Sequence, residues 1–345
     1  MKVPVLAGIA LLLLFACGGA AGNPQTASSS GPPEKTSLKV GVGGQSQIIY
    51  MPLTLADQLG YFKQEGISVE IVDLKGGSDA LKAMLGGSVD MVTGFYEHTI
   101  RTQTQGKFIE MVCTFDLYPG LVLEVGQKHA DQVKSIKDLA GHPVGVTSPG
   151  SSTDEMVKYL LKKNGLPIDA IPVVGIGSGS TAVAAIQGDQ VWAGVTVEPT
   201  ASQLEKSGQA KPIYDTRTAS GTKQVFGGSW PAGGFYVPRD FVQENPRTVQ
   251  AMVRAGVKTL RYIKTHPADD IAGHLPSSFF PGGDKAAFVE VLKANLGMFS
   301  ADGTMPSDGP SNVLDTLKTA DPKTDWSSVD LKKTFDNGFA DKARS

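Results

Sequence analysis

The sequence predicts an α/β fold of two similar lobes joined by two hinge crossovers, with a helical C-terminal tail packing on the first lobe. Three observations carry this. Strand-like and helix-like stretches alternate from residue 37 to residue 206, one segment echoes another 102 residues later, and no strand pattern returns after residue 238. Strand then helix, repeated, builds a parallel sheet covered on both faces.

The first strands are "SLKVGV" (37–42), "ISVEIVDL" (67–74), "VDMVTG" (89–94) and "FIEMVCTF" (108–115). Helical stretches separate them: "MPLTLADQLG" with Pro52 in its first turn and Gly60 past its end, "SDALKAMLG" opened by Ser78, and "YEHTIRTQTQG". After "LVLEVG" (121–126) the pattern resumes with strands at 143–147, 172–176 and 191–195 and helices at 152–164, 180–187 and 199–206. From Asp240 onward the chain reads as helices only, at 240–245, 246–266, 267–275, 284–296 and 310–319.

The echo joins "GGSDALKAMLGGSV" (76–89) to "SGSTAVAAIQGDQV" (178–191), aligned without gaps and matching at Gly77/Gly179, Ser78/Ser180, Ala80/Ala182, Ala83/Ala185, Gly86/Gly188 and Val89/Val191. Small residues match easily, so this argues for lobes built alike more than for duplication. Crossings are expected near 121–126 and 233–238, which makes 38–122 plus 236–345 the first lobe and 123–235 the second.

Met1 and Lys2 lead into an apolar run from Val3 to Phe15, too short to span a bilayer but suited to a secretory signal over residues 1–16. The run ends in "LFAC", which resembles the bacterial lipoprotein box, with cleavage before Cys17 and lipid on its sulfur. An ordinary signal-peptidase site at "FACGGA" is the alternative. Residues 17–37 are rich in Gly, Ser, Pro and Ala and read as a flexible tether. The folded body is thus expected outside the inner membrane, on its periplasmic face or at the cell surface.

Composition removes several classes. A net charge of -2 gives no basic face for nucleic acid. With Cys17 lipidated, Cys113 is the remaining thiol; it lies in an apolar run and is expected buried, so no disulfide or cysteine metal site is expected. The five histidines fall at no ligand-like interval. "GVTSPGSS" has the glycine spacing of a phosphate loop but Ser151 where a lysine belongs, "GVGGQS" half fits a dinucleotide pattern, and no G-x-S-x-G occurs. No metal or cofactor is expected.

"GYFKQEGISVEIVDLKGGSDALKAMLGGSVDMV" resembles the solute-binding proteins of ABC importers for nitrate, sulfonates, taurine and thiamine-type pyrimidines. The shared signature is "GYF-x-x-EG" turning into the second strand, "GGS" opening a helix and "G-x-x-D" leading to the third strand. "IKDLAGHPVGV", "GSSTDEMVKYLLKKNGL" and "GDQVWAGVTVEPTASQL" look like parts of that family's second lobe, so the resemblance covers roughly 38–265. It implies a two-lobed periplasmic-binding-protein fold, type II-like, and a monomer that passes a small solute to a membrane ABC permease. Thiamine-pyrimidine synthases share the fold, but the resemblance implies a cysteine-rich metal motif there that this chain lacks. Signalling through a membrane sensor is a further reading.

Ligands of open α/β sheets sit beyond the carboxyl ends of the strands. The candidates are therefore Gly44, Gln45, Ser46 and Gln47, then Gly77 and Ser78, then Phe95 and Tyr96 with Glu97 and His98, on the first lobe. The second lobe offers Gly150, Ser151, Ser152, Thr153, Ser178, Ser180, Thr181 and Glu198, while Asp116, Tyr118 and Trp230 close the sides. "SPGSSTDEMV" (148–157) admits two readings. With Ser152 as N-cap, Glu155 completes a capping box; alternatively, the free N–H groups at the helix start hold an anion. Ser78 and Ser180 also read as N-caps. Glu97 and His98 are expected in the solvated first turn of a helix. Hydroxyl-rich helix ends favour a sulfonate or carboxylate, while Glu97, Asp116 and Glu198 would favour a cationic or neutral heterocycle.

Overall fold

The computed structural model describes Met1 and residues 31–344. The signal over residues 1–16 and the lipidation at Cys17 lie outside the described residues, Met1 apart.

Among the described residues, ten strands form two five-stranded sheets. They are β1 (Ser37–Val42), β2 (Ser68–Asp73), β3 (Met91–Phe95), β4 (Ile109–Thr114), β5 (Val122–Gly126), β6 (Val144–Val146), β7 (Val173–Gly175), β8 (Ala193–Thr196), β9 (Ala210–Asp215) and β10 (Gly233–Pro238). The helices between them are α1 (Met51–Gln58), α2 (Tyr61–Gln64), α3 (Gly77–Leu85), α4 (Glu97–Arg101), α5 (Ser152–Lys163), α6 (Ser180–Gln187), α7 (Thr200–Lys206) and α8 (Ala219–Phe226). The tail carries α9 (Arg239–Glu244), α10 (Pro246–Thr265), α11 (Ala268–Gly273), α12 (Lys285–Asn295), α13 (Gly309–Ala320) and α14 (Gly338–Arg344).

The strand orders are β2-β1-β3-β10-β4 and β7-β6-β8-β5-β9, so both sheets have one topology. The echoed segments occupy matching places in it: α3 follows β2 and α6 follows β7. The expectation of parallel sheets is corrected. β10 runs antiparallel to β3 and β4, and β5 antiparallel to β8 and β9. Each sheet thus takes its antiparallel strand from a segment that has just crossed from the other lobe. Because 122–126 and 233–238 are committed strands, the crossings themselves fall at 115–121 and 227–232, and Gly233–Phe235 join the first sheet rather than the second.

β3 and β4 are buried at every residue, as helices on both faces of a sheet require. α10 shows why the tail is helical: Val249, Met252, Val253, Gly256, Val257 and Leu260 recur at helical spacing and are all buried, against α1, α14 and β4. α13 departs from this, packing on α5 of the second lobe as well as on α4. The end of the expected tether is also tied down. The Glu34 carboxylate accepts the N–H groups of Arg247 (3.2 Å) and Thr248 (2.8 Å) at the start of α10, and Lys35 Nζ lies 2.6 Å from Asp90. Cys113 is buried, as expected.

Candidate functional site

The carboxyl ends of the two sheets meet, and the helices that start there begin earlier than the serines suggested. The N-caps are Gly76 for α3, Ser151 for α5 and Gly179 for α6, and none makes a side-chain capping bond. Ser78, Ser152 and Ser180 therefore lie inside the first turn, and the capping box at Ser152 and Glu155 does not form. An uncapped first turn leaves backbone donors and a hydroxyl facing outward.

What Ser78 and Ser152 meet is the opposite lobe. Ser152 Oγ donates to Glu97 Oε1 at 2.8 Å. Glu155, one place beyond its expected capping position, pairs instead with Arg101. Ser78 Oγ shares a hydrogen bond with Ser148 Oγ at 2.7 Å and lies 3.0 Å from the Pro149 carbonyl, while the Ile48 N–H donates to the Glu198 carbonyl at 2.9 Å. A Cβ on Gly77 would touch His98 Cε1 of its own lobe at 3.4 Å, and one on Gly44 would sit 2.7 Å from Ser178 Oγ of the other. Glycine at position 44 lets the lobes approach.

Glu97 and His98 were expected in solvent and are instead 1% and 0% exposed. His98 Nδ1 pairs with the Tyr236 hydroxyl at 3.1 Å and its Nε2 lies 3.3 Å from Glu97 Oε1. Burial holds the His98 imidazole below its ordinary pKa, against the opposing pull of Glu97. A chain of polar groups, Ser152 to Glu97 to His98 to Tyr236, therefore links α5 of one lobe to β10 of the other.

Asp116 sits on the first crossing and is fully buried. Neither carboxyl oxygen makes a hydrogen bond of normal geometry, and Oδ2 presses so close to Gly233 that a Cβ there would lie 2.1 Å away. Burial pushes its pKa well up, only partly opposed by the Gly233 N–H. Tyr50 and Tyr118 both feel the Asp116 charge. Beside it, Phe95 packs edge-on to Tyr50 (6.2 Å) and tilted to Trp230 (6.0 Å), which stacks on Phe226 (5.0 Å). Trp230 is 1% exposed, and its Nε1 donor has no partner either.

Other candidates are turned elsewhere. Tyr96 faces away from the junction, its hydroxyl on Thr334 Oγ1 at 2.5 Å. The Glu198 carboxylate is held by Arg217 (2.7 Å) and by Ser202. Thr153 and Ser151 bond each other and Thr147 within their own lobe, and the Gly150 N–H donates to Asp154 Oδ2 at 2.7 Å. Gln45 reaches Thr54 at 3.1 Å, Ser46 and Ser178 are half-buried, and Ser180 is exposed. Tyr236 is the polar group the sequence did not single out; Glu97 and His98 were candidates by position past a buried strand but were expected in solvent.

The NMT1/THI5-like family pattern matches residues 47–270, well over half of the chain. The chain belongs to the NMT1/THI5-like family. Among relatives, this NMT1/THI5-like chain is 26% identical over 258 residues to the candidate binding protein YtlA of Bacillus subtilis, covering 71% of this chain and 72% of that one. It is 24% identical over 227 residues to the 4-amino-5-hydroxymethyl-2-methylpyrimidine phosphate synthase THI11 of Saccharomyces cerevisiae, covering 63% of this chain and 64% of that one. A solved protein of Bordetella bronchiseptica RB50 superimposes with a TM-score of 0.88 at 38% identity, covering 91% of this chain and 98% of that one. The periplasmic nitrate-binding protein NrtA of Synechocystis PCC 6803 superimposes with a TM-score of 0.73 at 16% identity, over 91% and 89% of the two chains. The two-lobed periplasmic-binding-protein fold is thus established for the NMT1/THI5-like chain.

Proposed function

We propose that this chain is an extracytoplasmic solute-binding lipoprotein, anchored through Cys17, that captures a small organic solute between its lobes and delivers it to an ABC permease. The observation that carries the reading is the junction itself. Two lobes meet through side-chain hydrogen bonds at the carboxyl ends of their sheets, and beside those bonds lie buried polar atoms, on Asp116 and Trp230, with no protein partner. Buried polar groups are normally satisfied, so a partner from outside the chain is the economical reading. Phe95, Asp116, Ser152 and Trp230 are the residues we assign to contact with the solute or to closure over it. The nitrate- and sulfonate-binding neighbours support solute capture at the level of the fold.

Native mass spectrometry of freshly purified protein tests this and is expected to find one co-purified small molecule. Solution scattering is expected to show a smaller radius of gyration with the solute bound, since closure draws on contacts made by both lobes at once. An unchanged radius at saturation would count against hinge closure.

The second reading is a thiamine-pyrimidine binder or a related pyrimidine-forming enzyme, favoured by the relationship to THI11. Two cysteines in the whole sequence, one of them buried, argue against the enzyme. A turnover assay supplied with pyridoxal phosphate and iron is expected to give no product.

A further inference from the structure

We propose that the captured solute presents a protonated or strongly N–H-donating nitrogen group to Asp116, with a flat apolar portion against Tyr50, Phe95 and Trp230. This rests on the solute-capture reading above and adds the chemical class of the solute.

Asp116 is the deciding group. It is fully buried, and neither carboxyl oxygen makes a hydrogen bond of normal geometry, although the Gly233 N–H lies near enough to oppose its raised pKa in part. An ionised carboxylate without a partner is among the costliest groups a protein can bury, while a buried carboxylate that meets a cation or two N–H donors is stable. The cations near the junction are engaged elsewhere: Arg101 with Glu155, and Arg217 with Glu198, Glu205 and Asp215. An anion entering here would face Asp116 and Glu97 with no free guanidinium to receive it.

At the helix end that looked suited to an anion, the Ser152 hydroxyl is already engaged by the chain's own Glu97 carboxylate, a like charge that would face any incoming anion. The partnerless atom among the neighbouring aromatic rings, Trp230 Nε1, is a donor and asks for one acceptor atom on the solute. Around these lie ring faces, Phe95 between Tyr50 and Trp230, whose negative quadrupoles favour a cation or an electron-poor heterocycle. A planar nitrogen base with a donor edge and a single acceptor satisfies both Asp116 and Trp230 Nε1.

Three probes of one shape separate the charge classes: benzamidinium, benzoate and benzenesulfonate, titrated calorimetrically into the folded chain at pH 7.5. Benzamidinium is expected to bind at least tenfold tighter than either anion. Asp116→Asn is expected to cut its affinity at least tenfold while melting no lower than wild type, since the amide removes a buried ionisable group. A second measurement stands if that variant fails to fold. Below the pKa of Asp116 in the free protein, benzamidinium affinity should rise up to tenfold per pH unit, because binding expels the carboxyl proton. Tyr50, Tyr118, Glu97 and His98 are the titratable groups around it, and His98→Gln should leave that slope in place.

Benzoate or benzenesulfonate binding as tightly as benzamidinium would overturn the assignment and leave solute capture standing. A co-purified solute is judged by the same rule: a nitrogen base supports the proposal, an acid overturns it. No binding of any probe together with no co-purified molecule would remove solute capture itself.

Discussion

Ser152 Oγ and Glu97 Oε1, 55 positions apart in sequence, lie 2.8 Å apart across the two lobes. The Ser152 hydroxyl is thus the partner of a buried carboxylate that belongs to the other lobe, a bond that the two lobes must be in contact to make.

Replacing that hydroxyl separates its roles. Ser152→Ala leaves a buried carboxylate short of one donor and is expected to cost about 1–3 kcal/mol of closed-state stability. Ser152→Asp sets two carboxylates against each other and is expected to hold the lobes apart, with a larger radius of gyration and affinity reduced by at least tenfold. A Ser152→Asp protein that scatters and binds like wild type would remove the bond from the closing mechanism.

Arg101 and Glu155 form the second tie between the lobes, and Glu155 is the more deeply buried of the two, at 3% side-chain exposure against 22%. Removing the arginine strands a buried charge, whereas removing the carboxylate leaves a cation that can turn to solvent. Arg101→Met is therefore expected to destabilise more than Glu155→Gln. A double-mutant cycle by urea unfolding should give a coupling of about 1–3 kcal/mol.

Glu124 gives a pH signature within the second sheet. Burial raises its pKa from 4.5 to about 9, against the lowering effect of the Thr196 hydroxyl bonded to Oε2 at 2.6 Å. Between those values the folded chain holds a proton that the unfolded chain has released, so stability falls as pH climbs through that window. Glu124→Gln keeps a partner for Thr196 and has no proton to lose. Its advantage over wild type is expected to grow by about 1 kcal/mol or more from pH 5 to pH 9 in denaturant midpoints.

Cys113 is buried beside Gly303 and Gly256, and burial pushes its thiol pKa well up. It should resist thiol reagents in the native state and react once the chain is unfolded. Labelling at the rate of an exposed thiol under native conditions would contradict the packing of β4.

Much of the fold was legible because periodicity is a local property. α6 fell on 180–187 as expected, and β1 on 37–42. β9 was missed because Pro212 and the polar Lys211 and Asp215 hide its strand character, and α8 because "ASG" at its start reads as a turn. Strand direction is not written in composition, so the antiparallel placement of β5 and β10 could not be foreseen. The site was less legible still. Topology placed Phe95, Asp116, Ser152 and Trp230 at the ends of the strands and on the crossings, where they are buried, but Tyr96 and Glu198 are drawn into contacts with Thr334 and Arg217 that no local pattern announces. Glu97 suited its own helix start as an exposed acid, and only a serine from the other lobe explains its burial.

The adjacency of β4 and β10 has a consequence for the architecture as a whole. The strands are antiparallel neighbours, and where they end the Phe115 N–H donates to the Gly233 carbonyl at 2.7 Å while the Ala232 N–H donates to the Asp116 carbonyl at 3.0 Å. Everything from 117 to 231 is therefore an insertion into the turn of one β-hairpin. Its two ends are already in hydrogen-bonding contact, so a short Asn-Gly turn joining Asp116 to Ala232 should excise the second lobe and leave the first sheet with all five strands. The same geometry puts Asp116 at the root of the insertion, where any rocking of the grafted lobe is felt first.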